Sequence, residues 1–139
     1  MMNRFRSALL VIACIAGGHA AMADVVAVVS TRSPVTALSK NQLLDIFLGR
    51  ANRYPDGTPA SPIDQAEGSP LRDEFYIKVA GQTAAQMLAY WSKIIFTGRG
   101  QPPPTVANDA EMKKRIRDNP AAIGYIDRAA VDDSVRIVF

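Results

Sequence analysis

The stretch Asp24-Val25-Val26-Ala27-Val28-Val29-Ser30 constrains the fold more than any other part of this 139-residue chain. A strand with one wet face alternates apolar and polar residues, and this one does not. An unbroken β-branched run is the mark of a strand covered on both faces, as in the centre of a parallel sheet. The chain must therefore supply a layer above this strand and a layer below it. Its length suits one ordinary domain, and a charged fraction of 21% with regular apolar runs argues against disorder.

Helix and strand signals alternate along the rest of the sequence. Ser39 and Gln42 have the spacing of a capping box, and Leu43, Leu44 and Phe47 make an apolar stripe that stops at Gly49. Pro55-Asp56-Gly57 is a turn, and Ser61 to Asp64 is a short strand. Ser69 suits an N-cap and Pro70 the first helical position, with Leu71, Phe75 and Val79 on one face before Gly81. Thr83 and Gln86 form a second capping box, opening a helix expected to turn Met87, Trp91, Ile94 and Ile95 to the core. Pro102 to Pro104 interrupt the pattern; Thr105 to Ala107 is a strand candidate, and a helix capped by Asn108 runs to about Asp118. Ala122 to Ile126 and Ser134 to Phe139 are the last two strands. The expectation is an α/β domain: one three-layer lobe with a mostly parallel central sheet flanked by helices.

The first 23 residues read as a secretory signal peptide. Arg4 and Arg6 precede an apolar core from Ala8 to Gly18, and Ala21-Met22-Ala23 is a small-x-small cleavage signature. The segment is too short and too rich in Ala and Gly for a membrane span. A lipobox at Cys14 is the rival reading, with little apolar sequence before the cysteine. Cleavage would leave residues 24–139 as one periplasmic domain, with no membrane insertion. Losing Arg4 and Arg6 takes the formal charge from +3 to +1, so the basic balance of the whole chain implies no polyanionic partner. Cleavage would also remove Cys14 and His19, the chain's only thiol and imidazole. A disulfide, a Cys/His zinc site and a His-dependent nucleophile then become impossible. No metal or cofactor is expected, and an enzyme would have to work with carboxylates, Lys or Tyr.

In open parallel sheets, ligands sit beyond the carboxyl ends of strands, near helix starts. Two segments are candidates for that edge: Ser30 to Ser33, with Thr31 and Arg32, after the first strand, and Gln65 to Arg72 between a strand and a helix. In the second, Gly68, the Ser69 hydroxyl and the Arg72 guanidinium would converge on a small oxyanion. The ordinary alternative is a plain helix start with a solvated arginine; Pro70 removes one N–H donor and Glu67 adds a repelling charge. The basic cluster Lys113, Lys114, Arg115 and Arg117 reads as a solvated face, with Asp109 to Lys113 and Glu111 to Arg115 at helical pairing distance. It lacks the interleaved aromatics of a nucleic-acid site. The acid pairs Asp73-Glu74 and Asp132-Asp133 read as surface.

Three of these stretches together resemble the phosphate-type periplasmic binding proteins. Leu38-Ser39, then Ile46-Phe47-Leu48-Gly49-Arg50 and Tyr54-Pro55-Asp56-Gly57, are similar to that family's LS…IFLGK…W-DG stretch. Gly68-Ser69 aligns with its R-x-D-G-S-G-T phosphate loop, and Asn119 to Ile126 with its PGAIGY strand. The matches keep the family's order. Within the loop Gln65 stands for the family's Arg, Glu67 for its Asp, Pro70 for its second Gly and Leu71 for its Thr, and Arg72 lies one step on. The resemblance implies one Rossmann-like lobe of a type II periplasmic binding protein, where the family has two lobes closing on ligand between them.

Two functions follow as expectations. One is a single-lobe solute-binding protein, related to ABC phosphate transporter components, that captures phosphate or a similar oxyanion, with a homodimer placing the cleft between subunits. The other is a lobe reused as an interaction or sensory module for an envelope protein, its ligand loop degenerate. An enzyme using carboxylates alone has no positive feature in its favour.

Overall fold

The computed structural model describes residues 24–139. The expected leader, with Cys14 and His19, lies outside the described residues. The elements run β1 (Val25–Ser30), α1 (Lys40–Phe47), β2 (Ser61–Pro62), β3 (Asp64–Gln65), α2 (Pro70–Ala80), α3 (Ala84–Phe96), β4 (Thr105–Val106), α4 (Asp109–Asp118), β5 (Ala122–Asp127), a 3₁₀ turn (Arg128–Ala130) and β6 (Val135–Ile137). The α/β class read from the sequence is the class observed.

β1 is buried at every position, and its side chains divide between two cores. Val25, Ala27 and Val29 join Leu43, Phe47, Phe75, Val79 and Trp91 from α1, α2 and α3 on one face. Val26 and Val28 join Met112 and Ile116 from α4 on the other. Period-two alternation along one strand thus feeds two apolar layers, which is why none of its interior positions is polar.

The sheet itself is mixed. Its order is β2-β5-β1-β6, with β2 parallel to β5 but β1 antiparallel to both β5 and β6. A second, two-stranded piece pairs β3 with β4 in parallel. The expectation of a mostly parallel sheet is corrected at its central strand. An all-apolar run reports that both faces are dry, and the direction of the neighbouring strands leaves no trace in it. The register sets Val25 opposite Asp127 and Val29 opposite Ile123, so the carboxyl end of β1 lies at the amino end of β5.

The helix starts follow the sequence closely. Ser39 and Thr83 form complete capping boxes with Gln42 and Gln86, and Ser69 and Asn108 accept from the N–H groups of Arg72 and Glu111. Three details differ from expectation. Ile95, expected in the core, is 48% exposed, because α3 buries only a narrow stripe centred on Met87 and Trp91. Lys113 reaches Asp132 at 2.9 Å rather than Asp109, whose carboxylate is engaged at the other end of the molecule's polar network; Arg115 does pair with Glu111, at 3.9 Å. Asp73 and Glu74, read as surface, are half-buried on α2.

α4 lies so close to β5 that only glycine fits at the crossing. A Cβ on Gly124 would stand 2.3 Å from Met112 Sδ and 3.1 Å from Ile116 Cδ1, both on fully buried side chains. Gly124→Ala is expected to destabilise the domain by ~1–3 kcal/mol through overpacking. Urea denaturation would show this as a lower midpoint with an unchanged slope.

Candidate functional site

The segment predicted to bind an oxyanion begins where β3 leaves the sheet. Gly68 takes a φ of 85°, a left-handed conformation that a side chain would strain, and the Ser69 N–H closes the turn on Ala66 O at 3.0 Å. Ser69 then caps α2, accepting from Arg72 N at 3.5 Å, and Pro70 occupies the first helical position. These choices put Gly68, Ser69 and Arg72 within one turn of each other.

Arg72 does not point freely into water. Its Nη1 donates to Gln65 O at 3.1 Å, its Nη2 lies 3.9 Å from Asp64 Oδ2, and the side chain is 17% exposed. Asp64 is the centre of the arrangement. Its carboxylate is 1% exposed and accepts from Gln65 N at 3.0 Å and from the Tyr76 hydroxyl at 2.6 Å; the Tyr125 hydroxyl also donates to it. Tyr125 stacks on Phe75 with ring centroids 3.9 Å apart, so α2 and β5 hold both phenols in place. Gln65, itself buried, donates through Nε2 to Tyr125 O at 3.0 Å and to Asp109 Oδ1 at 2.9 Å. One polar cluster therefore ties β3, α2, β5 and the start of α4 together.

Burial dominates the ionisation of this cluster. Desolvation raises the Asp64 carboxyl above the usual carboxylate range, against the hydrogen bonds of Tyr125 and Tyr76 and the charge of Arg72. Both phenols are pushed far up, by burial first and by the facing Asp64 second.

Two concavities flank the start of α2. One, of about 360 Å³, has Gly68, Arg72, Glu67, Asp73 and Tyr76 on one side and Met87, Leu88, Trp91, Ser92 and Ile95 of α3 on the other, with Pro102, Pro103 and Thr105 along its edge. The other, of about 510 Å³, lies between Ser69 and the start of α4 and includes Asp109 and Asp127. Asp109 Oδ2 already accepts from Asp127 N at 3.2 Å, so a carboxylate of the chain stands at that helix start. Both clefts carry carboxylates, and the first also carries the Arg72 guanidinium. An anion entering at Arg72 would meet a cation, with Glu67 and Asp73 near it.

Thr31 and Arg32 are not part of this assembly. β1 runs antiparallel to β5, so its carboxyl end faces the opposite edge of the sheet, the length of a six-residue strand or roughly 17–20 Å away. Arg32 Nη2 donates to Arg117 O at the end of α4 at 2.6 Å, and Thr31 O accepts from Arg136 Nη2 at 3.1 Å. The expectation that both segments shared one edge fails with the parallel sheet on which it rested. Asp64, Tyr76, Tyr125 and Asp109 were missed as site residues, because a buried acid is recognised by partners up to 61 residues away and no local spacing announces them.

No known family profile matches the sequence, and no curated protein matches it. The fold does have solved counterparts. An ABC-type phosphate transport receptor from Vibrio cholerae superposes with a TM-score of 0.65 at 21% identity, over 84% of this chain and 45% of that one. A putative phosphate ABC transporter substrate-binding protein with bound phosphate from Clostridium perfringens gives 0.65 at 24% identity, over 84% and 44%. A possible phosphate binding protein from Planctomyces limnophilus gives 0.62 at 13% identity, over 84% and 42%. The chain shares the fold of part of these substrate-binding proteins, and it spans under half the length of each. Among the described residues, no helix is long and apolar enough to cross a membrane.

The Asp64 cluster has a measurable signature. A carboxyl with a raised folded-state pKa contributes stability below its unfolded value, ~3.9, and that contribution is lost as pH rises through the folded value. Wild type should therefore lose stability relative to Asp64→Asn as pH increases upward from about 4. Asp24, Asp56 and Asp132, all lowered by hydrogen bonds at exposed positions, are common to both proteins and cancel. Chemical denaturation across pH 4 to 8 checks the sign; a wild-type curve that rises against the variant would mean that the hydroxyls and Arg72 outweigh burial.

Proposed function

We propose that this chain is an exported solute-binding lobe that captures phosphate or a related small oxyanion at the start of α2, through Gly68, Ser69 and Arg72. The observation that carries the reading is the fold: its solved counterparts are phosphate-binding transport proteins, one of them holding phosphate. The local chemistry is consistent with it. The positive end of the α2 dipole and the guanidinium hydrogens that Arg72 does not spend on Gln65 and Asp64 offer positive charge and donors beside Gly68, while Ser69 lines the neighbouring concavity at the same helix start. A single lobe supplies half a cleft, so affinity should be low, with a dissociation constant on the order of 0.1–1 mM. The sequence features of the leader support a periplasmic location, and ABC phosphate transport is the activity to which such a lobe would be related.

A second reading, an interaction or sensory module with a degenerate site and an envelope protein as partner, is favoured by one observation. Arg72 is already paired with Asp64, and Glu67 and Asp73 line the same cleft.

An amide NMR titration of the protein purified from cells expressing the full chain separates the two. Under the oxyanion reading, phosphate or sulfate, but not chloride, produces saturable shifts centred on Gly68 to Arg72. Thr31 and Arg32 stay still, and Arg72→Gln weakens binding about tenfold or more, the scale of a charge-assisted contact. Silence up to ~10 mM phosphate would reject it in favour of the interaction module.

A further inference from the structure

α3 is fastened to the domain by one side only. Met87 and Trp91 are buried there, with Tyr90 and Ile94 half-buried beside them. On the other side Leu88, Ser92, Ile95 and Phe96 follow the i, i+4, i+7, i+8 spacing of a helical stripe. Phe96 is 93% exposed, Leu88 58% and Ile95 48%. Ile77, 57% exposed, stands on α2 one turn beyond Asp73, on the side that lines the cleft beneath this stripe. The stripe contains no charged residue. At its midpoint the Ser92 hydroxyl already donates to Leu88 O at 2.7 Å, so covering it strands no donor.

We propose that this face pairs with the same face of a second copy of the chain, α3 packing antiparallel on α3 about a two-fold axis beside Ser92. Isologous symmetry sets Ser92 against Ser92 and Leu88 of each copy against Phe96 of the other, so a large side chain meets a smaller one and the shortest residue sits where the helices come nearest. The four exposed apolar side chains leave on the order of 500 Å² per copy, hence ~1,000 Å² for the pair, which reaches the lower bound of a specific interface. This pairing deepens the proposed oxyanion function and rests on it in one respect. Leu88, Ser92 and Ile95 line the cleft that Gly68 and Arg72 also line, so the second copy forms the wall that a single lobe lacks.

Cysteine crosslinking tests the geometry. Facing Cα atoms on helices packed 8–10 Å apart fall roughly 3.5–5.5 Å from each other, overlapping the disulfide range. In the full chain carrying Cys14→Ser, Ser92→Cys should give a disulfide-linked dimer under mild oxidation, whereas Lys114→Cys, exposed on α4, should not. Equal crosslinking at both positions would mark random collision and overturn the proposal. Sedimentation equilibrium should show a wild-type dimer that Phe96→Asp weakens at least tenfold; Phe96 is almost fully exposed, so the variant keeps its fold. A wild type that stays monomeric at ~0.1 mM also overturns the interface. Phosphate titration of wild type and Phe96→Asp then separates the two ideas. Weaker phosphate binding by the monomeric variant supports the shared cleft, and equal affinity refutes it. A wild-type dimer that binds no phosphate retains the interface and removes the oxyanion function.

Discussion

Water is kept from both faces of β1, and the rest of the domain is arranged to achieve this. Alternate side chains of one six-residue strand enter two separate cores, so α1, α2 and α3 must lie on one side and α4 on the other. The strand's hydrogen bonds are met by β5 and β6, both from the last third of the chain. The amino-terminal strand is thus completed only when the carboxyl-terminal segment has returned, and the close approach of α4 to Gly124 is part of that closure.

The polar counterpart of this strand is the buried carboxylate of Asp64. A lone ionised carboxylate at that depth would be costly; two phenols, a backbone N–H and Arg72 make it tolerable, and they come from three elements: Tyr76 and Arg72 from α2, Tyr125 from β5 and the Gln65 N–H from β3. The same contacts position Arg72 against its cleft. Holding the side chain still and leaving it free to bind an anion are competing demands, and Asp64 has met the first at some cost to the second.

Much of the local architecture was legible in the residues. The caps at Ser39, Ser69, Thr83 and Asn108 formed at the expected positions, because a capping side chain acts on N–H groups two or three residues away. The turn at Gly68 was legible for the same reason. Ile95 was not, since apolar periodicity shows that a helix has an oily side without showing whether the domain supplies anything to cover all of it. Arg72 could be named from its position, but its engagement by Asp64 could not.

By itself the sequence determined the α/β class, the double burial of β1 and the helix starts. These depend on interactions reaching at most one turn or two neighbouring side chains. Tertiary structure alone decided that β1 runs against β5. This sends Thr31 and Arg32 to one edge of the sheet and leaves Gly68, Ser69 and Arg72 at the other. Strand direction is set by how distant segments return to pair, and residue composition along a strand covered on both faces is the same whichever way its neighbours run.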